Sequence, residues 1–265
     1  MEDVPKTDNA EAEAPPPLDE EAERRIAWWL VGAVLVTLTA VKPLGGISVV
    51  GTVAFTLAAL MQLYLPMRRA DMLKRDLDFV GLHTQTWRAD LKLVGILVAI
   101  TFPPYIFLHH LYMTQAHEWV AALDIQALLP YMPRRVLSPQ WPSTAIGWGT
   151  ASWAFATMVA THALGVALPE ETFYRGYLQP RLQSRWQPKW TLWGVRVGWA
   201  AIIASALFAL GHFLGEWNPL RLGPFIPGLV FAWQRNATGS ILGAITYHAA
   251  CNVFGEILFS LYQPG

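Results

Sequence analysis

The 265-residue chain contains a single cysteine, Cys251, which excludes an internal disulfide and any multi-cysteine metal site. Charge is scarce: 14% of residues are Asp, Glu, Lys or Arg, and the 19 acidic side chains are matched by 19 basic ones. That balance lacks the basic surface of a nucleic-acid binder, so no nucleic-acid partner is expected. No segment repeats at the spacing of a solenoid or propeller, and no low-complexity tract lies beyond the N-terminal tail. The N-terminus also lacks the basic start and apolar core of a secretory signal, so no cleavage is expected there.

Apolar residues are abundant instead. They make up 54% of the chain, and 13 residues are Trp, mostly near the ends of apolar runs as in an interfacial aromatic belt. Residues 1–25, with nine acids and four prolines, predict a disordered acidic tail that cannot bury enough surface to offset its ordering entropy. Residues 26–265 then form a single transmembrane domain. A crossing helix needs about 20 mostly apolar residues. Runs at 26–41, 44–66, 91–112, 145–178, 197–217, 222–238 and 240–261 therefore predict an all-α, polytopic transmembrane helix bundle of about seven to eight spans. The eighth is allowed because 145–178 is too long for one straight crossing. Lys and Arg concentrate in the tail and in the second and fourth loops, which predicts a multi-pass protein with a cytoplasmic N-terminus. The Pro-rich segment 129–144 reads as an outer loop.

An ionisable side chain at mid-bilayer carries an insertion penalty of roughly 2.5 to 3.5 kcal/mol, so intramembrane acids, bases and histidines are functional candidates. Three clusters meet that description: "EETFYR" at 170–175, "FALGH" at 208–212 and "HAACN" at 248–252. Glu171 and Arg175 are four residues apart, share a helix face and can pair. Glu170 is turned about 100° from Glu171 and must point elsewhere. An unpaired carboxylate suits general-base work, with the pair as its brace. His248 and Asn252 are also four apart, and both side chains can donate hydrogen bonds to a developing oxyanion. His212 could hold a water with Glu170.

In this order and setting, E-E-x-x-x-R (Glu170, Glu171, Arg175), F-x-x-x-H (Phe208, His212) and H-x-x-x-N (His248, Asn252) resemble the CAAX protease and bacteriocin-processing family of intramembrane proteases. That family includes the type II CAAX prenyl endopeptidases. The resemblance covers about 150–260 and implies a glutamate-activated water attacking a peptide bond. Glu170 and His212 would hold the water, while His248 and Asn252 would stabilise the oxyanion. It implies a membrane-anchored protein or peptide substrate, lipidated or bearing a C-terminal sorting segment. No cofactor is expected: two His and a Glu could ligate zinc, but no H-E-x-x-H or other compact zinc motif is present, which favours a metal-free glutamic-type enzyme.

Other readings of the same residues remain. Glu171 and Arg175 could simply fasten two helices, and His212 and His248 could be satisfied core histidines. Asn252 could be an interhelical contact. His162 matches no motif and reads as packing, and Glu216 and Glu256 read as interfacial or structural. Cys251 faces about 100° away from Asn252, which disfavours a Cys–His nucleophile pair with His248. Rival functions are a transporter or proton relay, which would show repeats and paired broken helices, and a non-catalytic membrane scaffold of the bacteriocin-immunity type.

Overall fold

The computed structural model describes residues 17–46, 48–133, 138–139 and 148–263. Among them are seven helices, which pack as an all-α bundle. They are α1 (Glu20–Val41), α2 (Ser48–Met72), α3 (Trp87–Ala122), α4 (residues 148–183), α5 (Trp199–Glu216), α6 (Phe225–Thr238) and α7 (Leu242–Ser260). Strand structure is confined to two short antiparallel pairs, β1 (Ser138–Pro139) with β4 (Tyr262–Gln263) and β2 (Trp190–Leu192) with β3 (Val195–Val197). The β2–β3 reversal places Trp193 and Gly194 at positive φ, as a tight two-residue hairpin demands.

The first helix begins earlier than the sequence suggests. Residues 20–25, assigned above to the tail, form its opening turns, and only residues 1–16 of that tail lie outside the described residues. The Asp19 carboxylate caps the helix, accepting from the backbone N–H groups of Glu21 and Ala22 at 3.1 and 3.0 Å. Glu23, 2% exposed, accepts from Arg69 Nε of α2 at 3.0 Å and from the Tyr177 hydroxyl of α4 at 3.4 Å. Acidic residues taken for a solvated tail therefore include one that pins α1 to its neighbours.

Four stretches are long and apolar enough to cross a membrane by length and composition: Glu20–Leu44, Val49–Met72, Trp87–Ala122 and Trp199–Glu216. The expectation of seven to eight crossings exceeds these four. At 14 residues, α6 is shorter than a crossing requires, and α4 is divided into short pieces. Helix α3, with 36 residues, is about 54 Å long at ~1.5 Å per residue, well beyond a hydrocarbon core of about 30 Å. Exposed Val53, Leu57 and Leu60 of α2, and Ile100, Phe107 and Leu108 of α3, present an apolar exterior. Inside, Val34, Phe173, Tyr177, Phe208, Phe231 and Tyr247 make one core that draws on α1, α4, α5, α6 and α7.

Helix α4 carries the densest polar content and departs most from regular geometry. Its α-helical start, Trp148–Ala160, widens into a π-helical turn at Thr161–Ala167 and tightens over Leu168–Glu171. It widens again at Thr172–Leu178 and ends as Gln179–Gln183. Each wide turn stops two residues before a proline, Pro169 and Pro180. Proline has no N–H to donate and its ring crowds the carbonyl four residues earlier. A wide turn inserted there relieves the clash without breaking the rod.

Candidate active site

Within the α-helical turn Leu168–Glu171 neighbours are about 100° apart, so its consecutive acids diverge. Glu171 is fully buried and Arg175 Nη1 donates to its Oε1 at 3.0 Å. His248 Nδ1 of α7 lies 2.8 Å from the same oxygen. Arg175, also fully buried, donates from Nη2 to the Gly228 carbonyl of α6 at 3.0 Å. Its guanidinium lies 4.4 Å from the Phe208 ring centre and 5.1 Å from that of Phe231. The pair thus joins α4, α6 and α7. It fastens helices, as the structural reading holds, and it also orients His248. Gly228 is required for this approach, since a Cβ there would lie 2.9 Å from Arg175 Nη2 and 3.3 Å from Phe208 Cδ1.

Glu170 takes the other direction. Its side chain is 16% exposed, its Oε2 has no hydrogen-bond partner, and that oxygen lies 3.7 Å from His248 Nε2. One imidazole therefore faces both acids, one through each ring nitrogen. The Glu171 oxygen that accepts from Arg175 also faces His248, so Nδ1 carries the proton toward it. Nε2 is then left as the nitrogen turned to Glu170.

A cavity of about 210 Å³ opens between α1, α2, α4 and α5. Glu170, Tyr174, Phe208 and His212 line it, together with Gln62 of α2. Glu216 and Arg221, exposed and ion-paired with each other, stand at its mouth. His212 Nδ1 is 3.0 Å from the Phe208 carbonyl, which can only accept, so Nδ1 donates and Nε2 is free as an acceptor. Phe208 sits beneath this arrangement: the His212 ring meets it edge-on at 4.6 Å and the His248 ring at 5.8 Å. Phe231 stacks on His248 at 4.8 Å.

Six of the seven residues singled out from sequence are thus linked by contact or by the shared cavity: Glu170, Glu171, Arg175, Phe208, His212 and His248. Asn252 is set apart. It is half-buried on α7, four residues beyond His248, it makes no hydrogen bond among the described residues, and it does not line the cavity. His248 does not line it either. Among the described residues no group of three or more His, Cys, Asp or Glu gathers as a metal-binding set. The donors that zinc would require are partly engaged, His248 Nδ1 by Glu171 and His212 Nδ1 by Phe208.

Three contributors had not been singled out: Gln62, Tyr174 and Gly228. Gln62 is an amide inside an apolar run, the kind of signal that marked the other clusters, but it lies outside the stretch carrying the motifs. Nothing in the sequence marks Gly228. His162 and Cys251 lie outside this arrangement. His162 Nε2 lies 2.6 Å from Glu256 Oε2 and ties α4 to α7, and Cys251 packs against the core.

Comparison with known proteins agrees with the motifs. Residues 151–254 match the family model described as Rce1-like, type II CAAX prenyl endopeptidase. No curated protein matches the chain, and no solved structure does. At the family level the match supports an intramembrane CAAX-type protease, a class that acts on membrane-anchored proteins, and together with the apolar helices it supports an integral membrane protein. The segment that holds the three motifs, residues 151–254, is thus similar to the Rce1-like type II CAAX prenyl endopeptidases.

Proposed function

We propose that the chain is a glutamic-type intramembrane endopeptidase that hydrolyses a peptide bond of a membrane-anchored protein or peptide with a water activated by Glu170. The observation that carries this reading is that Glu170, with an unpartnered carboxylate oxygen, and His212, with Nε2 free to accept, line one cavity. A water between them donates one proton to each acceptor, which aims its oxygen lone pair at a carbonyl carbon entering the cavity. As the new C–O bond forms, Glu170 takes the water's proton. The carbonyl electrons move onto oxygen, and they return when the C–N bond breaks. The proton ends on the leaving amine.

His248 fits as the relay for that proton and a source of positive charge. With Nδ1–H directed to Glu171, its Nε2 becomes a donor only when it accepts a proton across the 3.7 Å gap from Glu170. The imidazolium so formed stabilises the oxyanion electrostatically. The resemblance extends that role to Asn252, which would have to reorient to reach a substrate. No cofactor takes part in these steps.

Orientation bears on the substrate. The start of α1 meets the C-terminal ends of α2 and α4, where Arg24 donates to Ser184 at 3.3 Å and Arg69 pairs with Glu23. Arg68, Arg181 and Arg185 belong to the same end, which is the cytoplasmic end by the positive-inside rule, together with the N-terminus. The cavity mouth lies at the opposite end, where Lys42 Nζ donates to the Glu216 carbonyl at 3.1 Å. A mouth facing outward favours a tail carrying a C-terminal sorting segment on the outer surface over a cytoplasmic prenylated tail.

The test is cleavage of both classes of tail peptide by the purified protein in detergent, comparing wild type with Glu170→Ala and with a chelator added. The reading expects wild-type cleavage that the substitution abolishes and the chelator spares. Cleavage surviving Glu170→Ala would remove Glu170 from the chemistry, and chelator sensitivity would assign it to a metal.

A further inference from the structure

We propose that Gln62 contacts the substrate, its carboxamide N–H donating to the carbonyl oxygen of the scissile bond. The proposal deepens the protease reading above and rests on it.

Gln62 sits in the middle of α2, inside the run "FTLAALMQLYLP", and is 3% exposed. Its Oε1 is buried without a partner, and it makes no hydrogen bond to another described residue. A carboxamide oxygen withheld from water and left unpaired is unfavourable, the more so in a helix surrounded by lipid and apolar side chains. The position is explained if the partner arrives with a ligand. Gln62 faces such a place, because it lines the cavity with Glu170 and His212, and α2 packs directly on the turn Leu168–Glu171.

Neutral hydrogen-bond donors are few in the cavity. Peptide hydrolysis needs a proton acceptor on one side of the carbonyl carbon and a hydrogen-bond donor on the oxygen. Glu170 and His212 offer acceptors. Arg221 is paired with Glu216 at the mouth. Neither His248 nor Asn252 lines the cavity, and His248 holds its Nδ1 proton against Glu171. That leaves the Gln62 amide and the Tyr174 hydroxyl, and of the two only Gln62 has a buried polar atom without a partner. Neutrality suits the role: the group strengthens its bond as charge builds on the oxygen and never enters the proton transfers. Rotation about its last side-chain bond exchanges Oε1, the buried unpartnered atom, for the NH₂ donor.

The alternative is that Gln62 only holds a water that fills the cavity. Purified full-length Gln62→Met and Gln62→Leu separate the two, assayed on the tail peptide that wild type cleaves best. An oxyanion donor lowers kcat by roughly 100- to 1000-fold and leaves KM within about threefold. The thermal unfolding midpoint stays level or rises, because an unpaired buried amide has been removed. Wild-type kcat in either folded variant overturns the proposal. So does a fall in kcat that tracks a fall in the unfolding midpoint, which marks a structural role. A wild-type protein that cleaves no tail while remaining folded overturns the protease reading itself, and this role with it.

Discussion

His248 stands between two adjacent acids of α4, its Nδ1 2.8 Å from Glu171 and its Nε2 3.7 Å from Glu170. The acids are neighbours in sequence yet differ in every respect that matters for chemistry. Glu171 is sealed in and shared by Arg175 and His248, whereas Glu170 keeps an unpartnered oxygen beside a cavity. Five expectations follow from this division and from its supports.

Glu170→Gln should lower turnover by at least about 100-fold and up to 10,000-fold, the usual reach of general-base catalysis. Because Glu170 accepts no hydrogen bond from a described residue and only the 3.7 Å contact with His248 is altered, the thermal unfolding midpoint in detergent should hold. Peptide cleavage and a melting curve on the same preparation check both halves.

Arg175→Met should destabilise the fold by about 3–5 kcal/mol, since it leaves Glu171 charged and buried with no cation. Adding Glu171→Gln should restore part of that loss. Arg175→Lys should fail to rescue, because one ammonium cannot serve Glu171, the Gly228 carbonyl and the Phe208 face together. Unfolding midpoints of the four proteins decide the matter.

Gly228→Ala should cost about 1–3 kcal/mol in stability, as overpacking does, and should reduce cleavage as well. Its methyl would displace the guanidinium that holds Glu171 and, through it, His248. A substitution this small acting at that distance from Glu170 would show that the brace positions the base.

A chain beginning at residue 26 should melt below one beginning at residue 17. The shorter form lacks the Asp19 cap and Glu23, and leaves Arg69 and the Tyr177 hydroxyl without their carboxylate. Equal midpoints would mean that the first turns of α1 contribute nothing.

Arg221→Cys, in a Cys251→Ser background, should react with a membrane-impermeant maleimide added outside intact cells. Labelling only after the inner face is opened would reverse the orientation and restore the prenylated tail as the favoured substrate.

The chemistry was easier to read from the sequence than the scaffold. Spacing alone paired Glu171 with Arg175 and turned Glu170 away, because residues four apart on a helix must meet and adjacent ones cannot. That His248 would settle on Glu171 was invisible, since i,i+4 spacing says nothing about which of two acids a remote helix will reach. Gln62 escaped notice because it lies some 110 residues before the motifs, and only folding brings α2 against α4. Glu23 falls in a stretch whose nine acids and four prolines predict disorder. Its partner, Arg69, is 46 residues further on.

The two widened turns of α4 give that helix an unusual mechanical property. Each holds one backbone step more than a regular turn would, so the rod carries slack on either side of its central acids. Deleting a single residue from Thr161–Ala167 would not shorten the helix so much as spin everything ahead of the deletion relative to the pair that follows. The orientation of Trp148–Ala160 is therefore adjustable by one codon, while Glu170 and Glu171 keep the groups that bind them.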